Sequence, residues 1–124
     1  MTMRPRRFNR LILEALAEIP EPFRAHLANV DVVVKRRPGP SDFRASDSKR
    51  GDRLYGLYDG VPLSERTGSA GFEMPDKITL FREPLERDFP DESDLVREVR
   101  TTVLHEIAHY FGLSEESLVE LGLD

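Results

Sequence analysis

The stretch 103–122, VLHEIAHYFGLSEESLVELG, decides how this chain is read. Val99, Val103 and Ile107 form one apolar line, and Leu104, Ala108 and Phe111 form an adjoining one, both at the three- and four-residue steps of a helix. His105, Glu106 and His109 share the remaining sector with Glu98 and Thr102. Polar residues confined to one sector of an otherwise apolar helix suggest a lined cleft. Upstream, Asp91-Glu92-Ser93-Asp94 is an acidic, cap-rich helix start, where carboxylates complement the positive end of the dipole. Gly112 is the expected stop, since glycine adopts the left-handed conformation that ends helices. Ser114 then caps a short last helix, Glu115 to Leu121, closed by Gly122.

His105 and His109 stand at i and i+4, so both imidazoles project from one face, one turn apart, close enough to hold a single metal ion. The chain has no cysteine, which excludes thiolate zinc sites, iron–sulfur clusters, disulfides and cysteine nucleophiles. Any metal must therefore be held by His, Asp or Glu. The third histidine, His26, has no second ligand at helical spacing and reads as an ordinary surface or half-buried residue. Glu106 is rotated about 100° from His105. It flanks the two histidines, where a carboxylate reaches a water without taking a coordination position.

The pattern is HExxH. Two imidazoles and one further ligand leave Zn²⁺ a position for water, whose pKa falls toward ~7, and Glu106 is placed to take that water's proton. The bland alternative is a pair of surface histidines beside a solvated Glu106. For the third ligand, Gly112 bends the chain so that Glu115, three residues later, can return to the metal. Glu116 is its rival, and Glu120 and Asp124 are later candidates. Imidazole and carboxylate suit Zn²⁺ and also accept Ni²⁺, Co²⁺ or Fe²⁺.

Outward from this helix, residues 7–27 read as helical, with Phe8, Leu11, Ile12, Ala15, Leu16 and Ile19 forming one stripe. Pro20 and Pro22 break it before a short second turn, Phe23 to Leu27. Val30 to Lys35 (VDVVVK) is the clearest strand. Residues 37–53, rich in Pro, Gly, Ser and charge, read as a mobile loop, and residues 1–6 as a flexible tail. Leu54 to Tyr58 is a second strand ended by the Asp59-Gly60 turn, with Val61 to Leu63 as a short return. Lys77 to Arg82 is a third strand, and Pro84 and Pro90 punctuate the segment between it and the long helix. Thr79 and the backbone of 77–82 are either a template for an extended substrate added as a strand, or an ordinary edge or inner strand. Tyr55, Tyr58, Tyr110 and Arg82 are candidate oxyanion donors. Helix, strands, long helix and short helix make an α+β arrangement.

The 124 residues predict one domain, 1–124, and no second. Net charge is −5, unevenly spread: residues 1–53 carry +5 and residues 54–124 carry −10. The basic half lacks a base-stacking aromatic pattern, which argues against nucleic acid. No apolar run approaches the ~20 residues of a membrane helix, and Glu14 and Glu18 interrupt the segment that most resembles a signal peptide. A cytoplasmic protein is expected, with no membrane association.

The segments LYGLYDGVPLSER, DKITLFREPLER and LVREVRTTVLHEIAHYFGLSEESLVELG together resemble the small bacterial zincin-like metallopeptidases, single-domain proteins ending in an HExxHxxGxx(D/E) helix. The resemblance covers about residues 54–123, and more loosely the first helix and strand. It implies a minimal zincin fold, a short mixed sheet packed on an N-terminal helix and a long HExxH helix. It also implies zinc held by His105, His109 and the acidic position Glu115, with Glu106 as the catalytic carboxylate of a zinc-dependent peptidase. Metzincins place a methionine turn after this motif, whereas Met1, Met3 and Met74 all precede it here, so a true metzincin is excluded. Few residues follow the motif, so the lower wall of the cleft is expected to be missing or built from upstream loops. Weak or partner-gated turnover on a peptide or protein substrate is the expectation, by a monomer or weak oligomer. The competing class is a metal-containing binding or regulatory module with a protein partner and little or no turnover.

Overall fold

The computed structural model describes residues 5–21, 23–46, 54–60, 76–110, 116 and 119. In chain order the elements are helix α1 (Pro5–Ala17), helix α2 (Phe23–His26) with a 3₁₀ turn (Leu27–Asn29), strand β1 (Val30–Lys35), helix α3 (Pro40–Ser46), strands β2 (Gly56–Asp59) and β3 (Asp76–Phe81), and helices α4 (Arg82–Asp88) and α5 (Glu92–Tyr110). This is the expected α+β architecture, with a three-stranded mixed sheet in the order β1-β3-β2. β3 runs parallel to β1 and antiparallel to β2.

The apolar stripes do what their spacing predicts. Phe8, Leu11, Ile12 and Ala15 of α1 meet Leu95, Val96, Val99, Val103, Leu104, Ile107 and Ala108 of α5 in one core, over Ile78 and Leu80 of β3. Burying each large apolar side chain contributes ~1.5–3 kcal/mol, so this helix–helix–sheet contact dominates the stability. Asp91 caps α5 as expected: its carboxylate accepts the Ser93 N–H at 2.9 Å and the Asp94 N–H at 3.2 Å. α1 ends before Pro20, and Phe23 resumes as the short α2 with its ring buried in the core.

Two expectations change. α1 already includes Pro5 and Arg6, because a proline is suited to the first helical position, where its missing N–H is not needed. Residues 40–46, inside the expected loop 37–53, form α3: Pro40 opens it, and the Asp42 carboxylate accepts both the Gly39 N–H and the Lys35 ammonium, each at 2.7 Å. For β3, the inner-strand reading of the two alternatives holds. It is the middle strand, hydrogen-bonded on both sides and buried on both faces, with Ile78, Leu80 and Phe81 all at 0% exposure. An extended substrate therefore has no free edge at 77–82. α4 is an element that the prolines concealed, since Pro84 falls in its first turn, where the helix tolerates it. The expected return 61–63 and the short last helix lie outside the described residues, except that Glu116 and Val119 have helical backbone and exposed side chains.

Candidate metal and peptidase site

α5 lies across the sheet, and one residue lets it approach closely. Gly56 of β2 faces Thr102: a Cβ placed on Gly56 would sit 2.6 Å from the Thr102 Cγ2, 3.3 Å from a Leu80 methyl and 3.3 Å from the Thr79 carbonyl oxygen. A glycine inside a strand commonly marks such a close backbone approach. Thr102 is correspondingly buried, at 8% exposure. It is thus a packing residue and not part of an open cleft, which narrows the polar sector of the helix to Glu98, His105 and Glu106 among the described side chains.

One turn beyond Thr102, His105 and Glu106 are both half-buried. The neighbours Leu104, Ile107 and Ala108 are sealed in the core, so the helix cannot rotate without dragging them into water. Glu98, two turns earlier on the same face as His105, is also half-buried. Burial pushes its carboxyl above the usual range, and the positive field of His105 pulls part of that back.

The backbone stays helical through Tyr110, which sets positions 105 and 109 one turn apart. The donor chemistry at these positions, imidazole at i and i+4 on a rigid buried helix, fits a borderline cation such as Zn²⁺. The side chain of His109, and Glu115 altogether, lie outside the described residues. Among the described residues no group of three His, Asp or Glu side chains comes together as a metal site. Glu116, the rival third ligand, is exposed.

Three of the oxyanion candidates are engaged with carboxylates. The Tyr55 hydroxyl donates to Asp88 and the Tyr58 hydroxyl to Asp76, each at 2.6 Å, while Arg82 donates to Glu86 at 3.0 Å. The Tyr55 ring also meets Phe89 edge-on, with centroids 5.5 Å apart. Tyr58 thereby fastens β2 to β3, Tyr55 fastens the residue before β2 to α4, and the Arg82–Glu86 pair lies within α4, while the fourth candidate, Tyr110, has its side chain outside the described residues. Sequence reasoning missed Gly56 and these tyrosine–carboxylate pairs. The glycine inside LYGLY was a usable signal for the first, whereas nothing local announces partners 18 and 33 residues away.

No helix among the described residues is long and apolar enough to cross a membrane. No curated protein matches the chain. Among solved structures it is similar to a conserved hypothetical protein from Thermus thermophilus, with a TM-score of 0.54 and 25% identity over 94% of this chain and 98% of that one. A family model described as zincin-like metallopeptidase matches residues 27–123, the span from the turn before β1 through the HExxH helix and beyond. With that match over most of its length, the chain belongs to the zincin-like metallopeptidase family.

Proposed function

We propose that the protein is a zinc-dependent peptidase whose general base is Glu106 and whose metal ligands are His105, His109 and Glu115. The observation that carries this reading is the pair of half-buried residues His105 and Glu106, adjacent on a helix whose apolar faces are locked in the core, within a chain of the zincin-like family. Bound Zn²⁺ would supply a Lewis acid for the scissile carbonyl and a lower pKa for the attacking water. The Glu106 carboxylate accepts the proton that this water gives up, and then delivers it from the same oxygen to the leaving amine. His105 is held in orientation by the buried turn around it. Glu115 is favoured over Glu116 by its spacing from Gly112 and by the family pattern.

The test compares wild type with Glu106→Gln in a peptide-library digest, beside metal analysis of both. Glu106→Gln is expected to keep one zinc per chain and to lose turnover by ~10²–10⁴-fold, the usual contribution of a positioned general base. His109→Ala is expected to lose the zinc. Equal cleavage by wild type and Glu106→Gln, or no stoichiometric zinc in wild type, would overturn the proposal.

A further inference from the structure

From the outer edge of β1 we infer that the protein self-associates, two copies joining antiparallel through this strand into a continuous six-stranded sheet. Among the described residues, the order β1-β3-β2 leaves β1 on the outside. It exposes Val33 at 38% and Val34 at 39%, and because these residues are adjacent they stand on opposite faces of the strand. An edge left uncovered by the described residues, with apolar side chains on both faces, is a pairing template.

The hydrogen-bond phase agrees. The Phe81 N–H donates to the Tyr55 carbonyl at 2.9 Å, extending the β2–β3 register and turning residues 77, 79 and 81 toward β2. Residues 76, 78 and 80 then turn toward β1, where Ile78 stands beside Val32. In a parallel ladder, such a residue bonds to the two residues flanking its partner. Asp31, Val33 and Lys35 are thereby occupied, and the main-chain groups of Val30, Val32 and Val34 point to the outer edge.

Charge selects both partner and register. An antiparallel self-pair centred on Val33 sets Val32 opposite Val34 of the second copy as a hydrogen-bonded pair. Val33 then meets its own copy, and Asp31 meets Lys35 of the second copy at both ends, in the non-hydrogen-bonded positions where side chains lie closest. A parallel pair would set Asp31 against Asp31 and Lys35 against Lys35. Shifting the antiparallel register by two residues in one direction sets Asp31 opposite Val33 and Lys35 opposite Asn29, and in the other sets Lys35 opposite Val33 and Asp31 opposite Arg37, which lies in the bend past β1 and already pairs with Glu83 at 3.2 Å. Lys35 already bonds to Asp42, yet half of its side chain remains exposed to meet a second carboxylate. This contact is isologous and closes at two copies. A six-residue edge is small beside the ~800 Å² per partner of a standard interface, so the association is weak, with a dissociation constant of ~10⁻⁵–10⁻³ M.

Sedimentation equilibrium on the full chain from about 10 μM to about 1 mM, combined with amide exchange at Val32 and Val34, tests this directly. The mass is expected to rise from 14.2 kDa toward twice that value, with protection at Val32 and Val34 appearing only as it does. Asp31→Lys, which leaves the Lys35–Asp42 bond in place, is expected to weaken association about tenfold, and adding Lys35→Asp to restore it. The wild-type series decides the matter even if a variant folds poorly. A constant 14.2 kDa mass across the range overturns the proposal, as does undiminished association of folded Asp31→Lys. Protection independent of concentration, which would mean that the chain itself covers the edge, overturns it as well.

Discussion

Replacing Gly56 by alanine tests how tightly the site helix is seated. The added Cβ would stand 2.6 Å from the Thr102 Cγ2, closer than real carbon contacts come, and 3.3 Å from both the Thr79 carbonyl oxygen and a Leu80 methyl. The two 3.3 Å contacts require shifts of a few tenths of an ångström, but the Thr102 contact requires the buried, β-branched Thr102 side chain, α5 or β2 to move. Overpacking of this kind costs about 1–3 kcal/mol. In a domain of this size that corresponds to a drop of roughly 3–12 °C in Tm. Urea unfolding followed by circular dichroism should show a lower midpoint with unchanged slope. Thr102→Ser removes the offending methyl, so Gly56→Ala/Thr102→Ser should recover more than half of the loss, and the double-mutant cycle should give a coupling of about 1 kcal/mol or more. Additive effects of the two substitutions, or a Gly56→Ala protein as stable as wild type, would refute the close approach of α5 to β2. Because Thr102 precedes His105 by less than one turn, Gly56→Ala should also weaken zinc uptake at the proposed site.

Two further outcomes rest on polar contacts. Tyr58→Phe removes the hydroxyl that donates to Asp76, a carboxylate only 7% exposed, and should cost about 1–3 kcal/mol in a urea melt, the penalty for a buried acceptor that loses a donor. For Asp42, burial alone would raise the carboxyl pKa, but the Lys35 hydrogen bond and the Gly39 N–H outweigh it and hold the group below its ordinary 3.8. A depressed folded value means stability that is present above the ordinary value and lost as pH falls through the folded one. Solvent screening limits this contribution to ~1 kcal/mol or less, and Asp42→Asn should flatten the acid limb of a Tm–pH profile by that amount.

The helices were legible because their signals are local. Asp91 announces the start of α5, Pro20 the end of the first helical stretch, and the spacing of Val99, Val103 and Ile107 the buried face, all within single segments. β3 shows where such reading stops. Ile78 and Leu80 alternate with Thr79 and Phe81 as a half-buried strand would, yet both sets are buried, because membership of the middle position depends on β1 and β2 and not on β3's own pattern. α3 was hidden for the opposite reason: its composition is that of a loop, and the contacts fixing its start come from Lys35 and from a side chain folding back on Gly39. At the site, the positions of His105 and Glu106 followed from the motif and the helix period. Thr102 could not be assigned the same way, since the residue that buries it lies 46 positions earlier, in a different element.

The register between β1 and β3 joins Val30 to Asp76, and an ion pair joins Arg7 of α1 to Glu92 at the start of α5. The core and sheet partners of α1 and β1 named here thus come from residue 76 onward. On the ribosome, α1 and the valine-rich β1 emerge with their apolar faces bare, and neither can be covered until β3 and α5 have been made. Long-range pairing of this kind slows folding and prolongs the exposure of sticky surface. The nascent chain should consequently depend on holding chaperones late into synthesis, and a ribosome stalled before codon 76 should carry an aggregation-prone fragment and not a partly folded domain.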